Sequence, residues 1–309
     1  MGWPFHVARL ANPKVGLTFD DDHLKSHHGG PMQTSKIHSH SVYTGLDSAR
    51  TERWEFHYAA GADVGQRRDI NEDFFLLHPD RQLYLVADGM GGHAAGEVAA
   101  HIAGETIAAY FDEAGVPRRP SSQFEPDESL HQHLVQAIKL ANATIVEEAS
   151  DRPETQGMGT TVTAVTFFGD HAYWAHVGDS RLYRLRGDTL EPMTRDHSLL
   201  ERTLESQDLS EQEAAHLIEH FPYKNVLTRA LGSRYVVDVD VNAAPLQDGD
   251  LFVLTTDGVH DVIDDELLAH LLIHHRPHWH QACEAVITEA NRAGGPDNIT
   301  LACIEARAS

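Results

Sequence analysis

Between residues 160 and 192 the chain runs from strand to strand with no helical stretch in between. TTVTAVTFF (160–168), AYWAHV (172–177) and RLYRLR (181–186) are rich in β-branched and aromatic residues. Gly187 and Asp188 then make a tight turn into a further strand, the pattern of a meander. Elsewhere helical stretches come in pairs, 94–111 with 129–149 and 264–274 with 279–293, with apolar residues at spacings near three and four. Strands in blocks and helices in pairs predict an α+β chain with antiparallel sheets; a parallel sheet needs strands and helices in alternation. No natural break interrupts this organisation between residues 55 and 307, which predicts one domain.

The remaining 53 residues, at the N-terminus, lack clear periodicity and carry His6, His23, His27, His28, His38 and His40 without metal-site spacing. They read as a His-rich, poorly ordered extension: a tag-like segment, a docking arm or disordered sequence. No apolar run approaches the roughly 18 residues that span a bilayer, and the opening MGWPFHVARL has no continuous hydrophobic segment. His6 stands where a myristoylation motif wants Ser or Thr, so Gly2 is not read as an acylation site. Two cysteines, Cys283 and Cys303, give no disulfide framework and fit a reducing cytoplasm. Acids outnumber bases 47 to 24, a formal charge of −23. That balance argues against nucleic acid and against anionic membrane surfaces as partners. An acidic surface kept for solubility and a carboxylate cluster around cations both remain open explanations.

Chemistry is written into the ends of the apolar strands. Residues 82–87 and 251–256 are short apolar strands, and each leads into Asp-Gly, giving Asp88 and Asp257. RDINED supplies Glu72 and Asp73 just before FFLLH, and GGPDNIT supplies Asp297 at the start of the last strand. LTTDGVHD adds Asp261, and HVGDSR adds Asp179 between two strands. Any one acid beside glycine is ordinarily a turn residue. Together, unpartnered carboxylates at strand ends are costly to desolvate and would repel one another unless cations sat among them. Carboxylates, carbonyls and water suit hard cations, Mg²⁺ or Mn²⁺, and no His/Cys set has zinc-like spacing. Two such ions, about 3.5–4 Å apart, hold and activate a hydroxide and clamp a phosphoryl oxygen. Gly89 permits its carbonyl to turn inward where a side chain would crowd a metal. Arg68, five residues before Asp73, is placed either to grip a phosphate in a bidentate contact or simply on the surface. If its segment is a strand, only one of Arg67 and Arg68 points inward.

Eight blocks in order, GQRRDINED, VADGMGGHAAGEVA, GTTVTAV, AHVGDSRLYRL, TRDHSL, NVLTRALG, LTTDGVHDVI and DNITL, cover roughly residues 56–306. Together they resemble the metal-dependent serine/threonine protein phosphatases (PPM, or type 2C), in particular the bacterial branch. The resemblance implies a four-layer α-β-β-α sandwich, two antiparallel sheets flanked by helix pairs, with a dinuclear Mg²⁺/Mn²⁺ centre at one edge. It implies that Asp88 bridges two metals, that the Gly89 carbonyl completes one, and that Asp257 and Asp297 bind the other. Asp73 and Glu72 would orient the metal-bound water, Arg68 would hold the substrate phosphate, and Asp179 and Asp261 would match a looser third metal. The implied reaction is in-line attack of water on phosphoserine or phosphothreonine esters, with no phosphoenzyme. The implied partners are phosphorylated proteins, opposing a Ser/Thr kinase, for a cytoplasmic monomer.

Two departures from the family pattern stand out. Met90 follows the Asp-Gly where the eukaryotic branch has a histidine, leaving His93, a helix-start residue or a metal-bound water as candidates for the general acid. Residues 199–226, with Ser210 and Glu213 as a capping box, fall where the bacterial branch has a mobile flap; an ordinary helical hairpin is the alternative. A pseudophosphatase should have lost one of Asp88, Asp257 or Asp297, and all three are present.

Overall fold

The computed structural model describes residues 33–34, 41–43, 47–51, 53–91, 95–114, 116, 126–207 and 209–309. Three short strands come first: β1 (Gln33–Thr34), β2 (Ser41–Tyr43) and β3 (Asp47–Arg50). Then come β4 (Trp54–Asp63), β5 (Asp73–His78) and β6 (Leu83–Met90), followed by α1 (Ala95–Glu113) and α2 (Pro126–Asp151). The expected strand block holds β7 (Gly159–Thr160), β8 (Val162–Phe168), β9 (His171–Val177), β10 (Arg181–Arg186) and β11 (Thr189–Pro192). Two short helices, α3 (Leu199–Ser206) and α4 (Glu211–His220), precede β12 (Asp240–Pro245) and β13 (Asp250–Thr255). The chain closes with α5 (Asp257–His260), α6 (Asp265–His275), α7 (Trp279–Arg292) and β14 (Ile299–Ala308).

The strands form two antiparallel sheets. One runs β1-β5-β6-β8-β9-β12 with β7 beside β6, the other β11-β10-β13-β14-β4-β2 with β3 beside β4. Because side chains alternate across a strand, each apolar run feeds two separate cores. Phe74 and Leu76 of β5 and Leu83 and Leu85 of β6 pack under α1 and α2. Their neighbours Phe75, Leu77, Tyr84 and Val86 face the other sheet and meet Phe252, Leu254 and Ile304. Phe167 of β8 stacks on Phe56 of β4, with centroids 4.5 Å apart, and meets Phe252 of β13 edge-on at 5.2 Å. The outer face of the second sheet, Leu251, Val253, Leu301 and Cys303 among it, packs against Leu268, Leu272, Val286 and Ile287 of α6 and α7. Strands buried on both faces have no polar side to alternate with. The order of layers is helix pair, sheet, sheet, helix pair.

Two details differ from the sequence reading. The tract 1–53 was expected to be poorly ordered, yet β1 pairs with β5, and β2 and β3 pair with β4, so parts of it line the same edge of both sheets. Ladder pairing draws on backbone groups that every residue carries, so it leaves no apolar signature. The histidines of that tract lie outside the described residues. Second, β6 does not end before Asp88. It runs on through Asp88 and Gly89 to Met90, where β7 pairs with it.

Candidate metal centre

The first sheet contributes two acids in direct register: Asp73 at the start of β5 and Asp88 in β6 are cross-strand partners. The second sheet contributes Asp257, which follows β13 and opens α5, and Asp297, two residues before β14. One hydrogen bond shows that these ends meet. Thr256 Oγ1, at the end of β13, donates to Asp73 Oδ2 across the two sheets at 2.8 Å. The same hydroxyl accepts from Thr300 N at 3.0 Å, so its proton is directed at the carboxylate.

Burial sets the electrostatics. It pushes the Asp73 carboxyl up to about 8, with Asp257 and Asp297 adding to the rise and Thr256 opposing it. Asp88 is held well above the ordinary carboxylate range by burial and then by Asp257, Asp73 and Asp179. Asp257 is raised to about 6 by burial, Asp297 and Asp261. Asp179, in the turn between β9 and β10, reaches about 8 through burial and then Asp257 and Asp196. These acids therefore raise one another, as like charges in a shared low-dielectric cleft must.

The loop between β4 and β5 brings Arg68 and Glu72. Neither Arg67 nor Arg68 lies on a strand, so strand alternation does not choose between them; both are exposed in the loop. Arg68 Nη2 donates to Asp297 Oδ2 at 2.7 Å, so the guanidinium does reach the acids. Glu72 Oε1 accepts from Gly96 N in the first turn of α1 at 3.1 Å, where the helix N-terminus favours negative charge. Burial nevertheless raises the Glu72 carboxyl above its ordinary value. Gly89 is a crossing point. A Cβ there would run into the carbonyls of Gly96 and Glu72, and its amide donates to Glu72 O at 3.1 Å. Only glycine admits three backbones this close.

Asp261 lies beyond α5, exposed, with Asn225 Nδ2 at 3.4 Å from its Oδ2. His93 lies outside the described residues. Among the described residues no three His, Cys, Asp or Glu side chains close on a single point. Thr256 holds the Asp73 carboxylate and Arg68 the Asp297 carboxylate. The donor set still fits hard dications. It is all oxygen, Asp257 Oδ1 is buried with no hydrogen-bond partner among the described residues, and the Gly89 backbone is left bare of side chain.

Three supporting residues went unread in the sequence. Asn298 accepts from Glu72 N at 2.8 Å and donates to Val64 O and Ile70 O at 3.0 and 2.9 Å, fixing the Arg68 loop. Thr161 Oγ1 accepts from Asp88 N at 2.9 Å. Thr256 has the role described above. Each adjoins or lies within a block already singled out, but nothing local names its partner.

Residues 60–293 match the family described as protein phosphatase 2C. The chain is 33% identical over 252 residues to a serine/threonine phosphatase, stp, of Listeria innocua, covering 81% of this chain and 95% of that protein. It is similar in structure to the serine/threonine phosphatase PstP of Mycobacterium tuberculosis, with a TM-score of 0.71 and 31% identity over 82% of this chain and 99% of the other. A second structure of the PstP catalytic domain, in complex with two manganese ions, matches with a TM-score of 0.69 and 31% identity over 82% of this chain and 99% of that one. The chain belongs to the protein phosphatase 2C family.

Proposed function

We propose that this chain is a metal-dependent protein phosphatase that hydrolyses phosphoserine and phosphothreonine esters by direct attack of water. The observation that carries the reading is the meeting of Asp73, Asp88, Asp257 and Asp297, from two sheets, at one cleft. Two Mn²⁺ or Mg²⁺ ions bound there supply a lowered pKa for the attacking water and charge to clamp the phosphoryl oxygens. In this proposal Asp88, Asp257, Asp297 and the Gly89 carbonyl hold the ions, and Asp179 and Asp261 serve a looser third. Asp73, held by Thr256, orients water in this reading, and Glu72 does the same from the loop. Arg68 spends one N–H on Asp297, and a guanidinium carries five donors, so it can also grip a phosphate.

We read residues 54–309 as the catalytic domain and 199–226 as a flap, supported by the reach of Asn225 to Asp261. The substrates in this reading are phosphorylated proteins, opposing a Ser/Thr kinase, and the chain acts as a monomer in a reducing cytoplasm. Two free, buried cysteines support that setting. The charge of −23 disfavours nucleic acid and anionic membranes as partners. Among the described residues no helix is long and apolar enough to cross a membrane. The test is phosphate release from a phosphothreonine peptide with Mn²⁺. Wild type should turn over and Asp88→Asn should not; an inactive wild type with bound Mn²⁺ overturns the proposal.

A further inference from the structure

Helix α4 carries the sequence HLIEH, with His216 and His220 four residues apart and Glu219 between them. That spacing stacks two side chains on one helix face, the arrangement by which helices present paired histidines to a metal. The two imidazole centroids are 4.3 Å apart, against 6.2 Å for the equally spaced His270 and His274 of α6. Both rings are in solvent. His220 Nδ1 lies 3.0 Å from the His216 carbonyl oxygen. A proton on Nδ1 donates to that oxygen and leaves the lone pair on Nε2, as a ligating histidine requires. The Glu219 carboxylate, 3.7 Å from the same Nδ1, adds negative charge beside the pair.

We propose that His216 and His220 chelate a transition-metal dication of the zinc type, at a site separate from the carboxylate centre. Two nitrogens bound tetrahedrally to zinc stand about 3.4 Å apart, which rings at this separation reach by small side-chain rotations. Among the described residues no third His, Cys, Asp or Glu joins the pair, so water completes the coordination and the site is open. Imidazole selects zinc, copper or nickel over the Mg²⁺ that suits carboxylates. The consequence falls on the helix. No described residue of α4 is fully buried, and a helix of ten residues is marginal without packing. A chelate across one turn therefore holds α4 folded.

The test is amide hydrogen exchange on the full-length chain, with Mg²⁺ saturating the carboxylate centre and Zn²⁺ as the probe. At ten times its Kd, zinc should slow exchange in residues 211–220 about tenfold, because opening the helix must release the ion. His216→Gln and His220→Gln should each abolish that protection. A doubly substituted chain, His216→Gln with the exposed Ile218→His, restores the histidine count at a spacing of two, which puts the rings on different faces of the helix, and should also lack it. Both histidines are exposed, so the variants should keep the wild-type circular dichroism. No zinc protection in wild type, or protection that survives His220→Gln, overturns the proposal. Because the readout is confined to α4, it is independent of phosphatase activity.

Discussion

Asn298→Ala removes a side chain that touches no substrate atom in the proposed mechanism, yet it should both unsettle the fold and slow turnover. Asn298 is 5% exposed and makes three hydrogen bonds, to Glu72 N, Val64 O and Ile70 O. Each is worth roughly 0.5–1.5 kcal/mol net, and truncation leaves one donor and two acceptors unpaired in a buried place. The expected loss is about 2–4 kcal/mol, read as a lowered urea midpoint at unchanged slope. Asn298→Asp keeps the acceptor for Glu72 N but turns two donors toward carbonyl oxygens as acceptors, so it should be no milder. Because the three bonds pin the loop that bears Arg68 and Glu72, kcat should fall in Asn298→Ala even at temperatures where the chain stays folded. A variant within 0.5 kcal/mol of wild type, with normal turnover, would refute the claim that this residue fixes the loop.

Gly104→Ala sets two effects against each other. Alanine gains up to about 1 kcal/mol of helix propensity, but its Cβ would sit 2.6 Å from Phe74 Cδ1 and closer still to Cε1. Overpacking of this kind costs about 1–3 kcal/mol, so thermal unfolding should show net destabilisation, and a smaller side chain at Phe74 should relieve it. The pH dependence of the metal-free protein follows from the raised acids. Asp73 and Asp179 stand near 8 and Asp257 near 6, against roughly 4 when unfolded. A folded value above the unfolded one means a contribution complete below about pH 4 and lost as pH rises through 6 to 8. In EDTA the contribution of these acids should therefore lower Tm between pH 5 and 8.5, and added Mn²⁺ should restore most stability at the upper end. A difference between the two that stays flat across the window would contradict this.

The sandwich was legible because its strands are buried on both faces: QLYLVA and LFVLTT read as uninterrupted apolar runs for the same reason that they feed two cores. The acids were legible because each interrupts such a run or opens one. What stayed hidden depends on partners far along the chain. Thr256 finds Asp73 183 residues away, and Asn298 finds Glu72 226 residues away. The extension of β6 through Gly89 was missed because glycine reads as a turn, whereas here it admits a close backbone crossing. β1 to β3 were missed because edge pairing is made with backbone groups. Pro126 opens α2 three residues before the expected start, its missing N–H being one that a first helical turn leaves unpaired anyway.

The central claim is that Asp73, Asp88, Asp257 and Asp297 form one cation centre that drives phosphate-ester hydrolysis. Its most direct test is Mn²⁺ titration calorimetry paired with phosphate release from a phosphothreonine peptide, for wild type and Asp257→Asn. The account predicts two tight Mn²⁺ equivalents and turnover in wild type, with one of those equivalents weakened and turnover lost in the variant. Turnover in EDTA equal to that in Mn²⁺, or an Asp257→Asn chain with unchanged Mn²⁺ binding and rate, would contradict it.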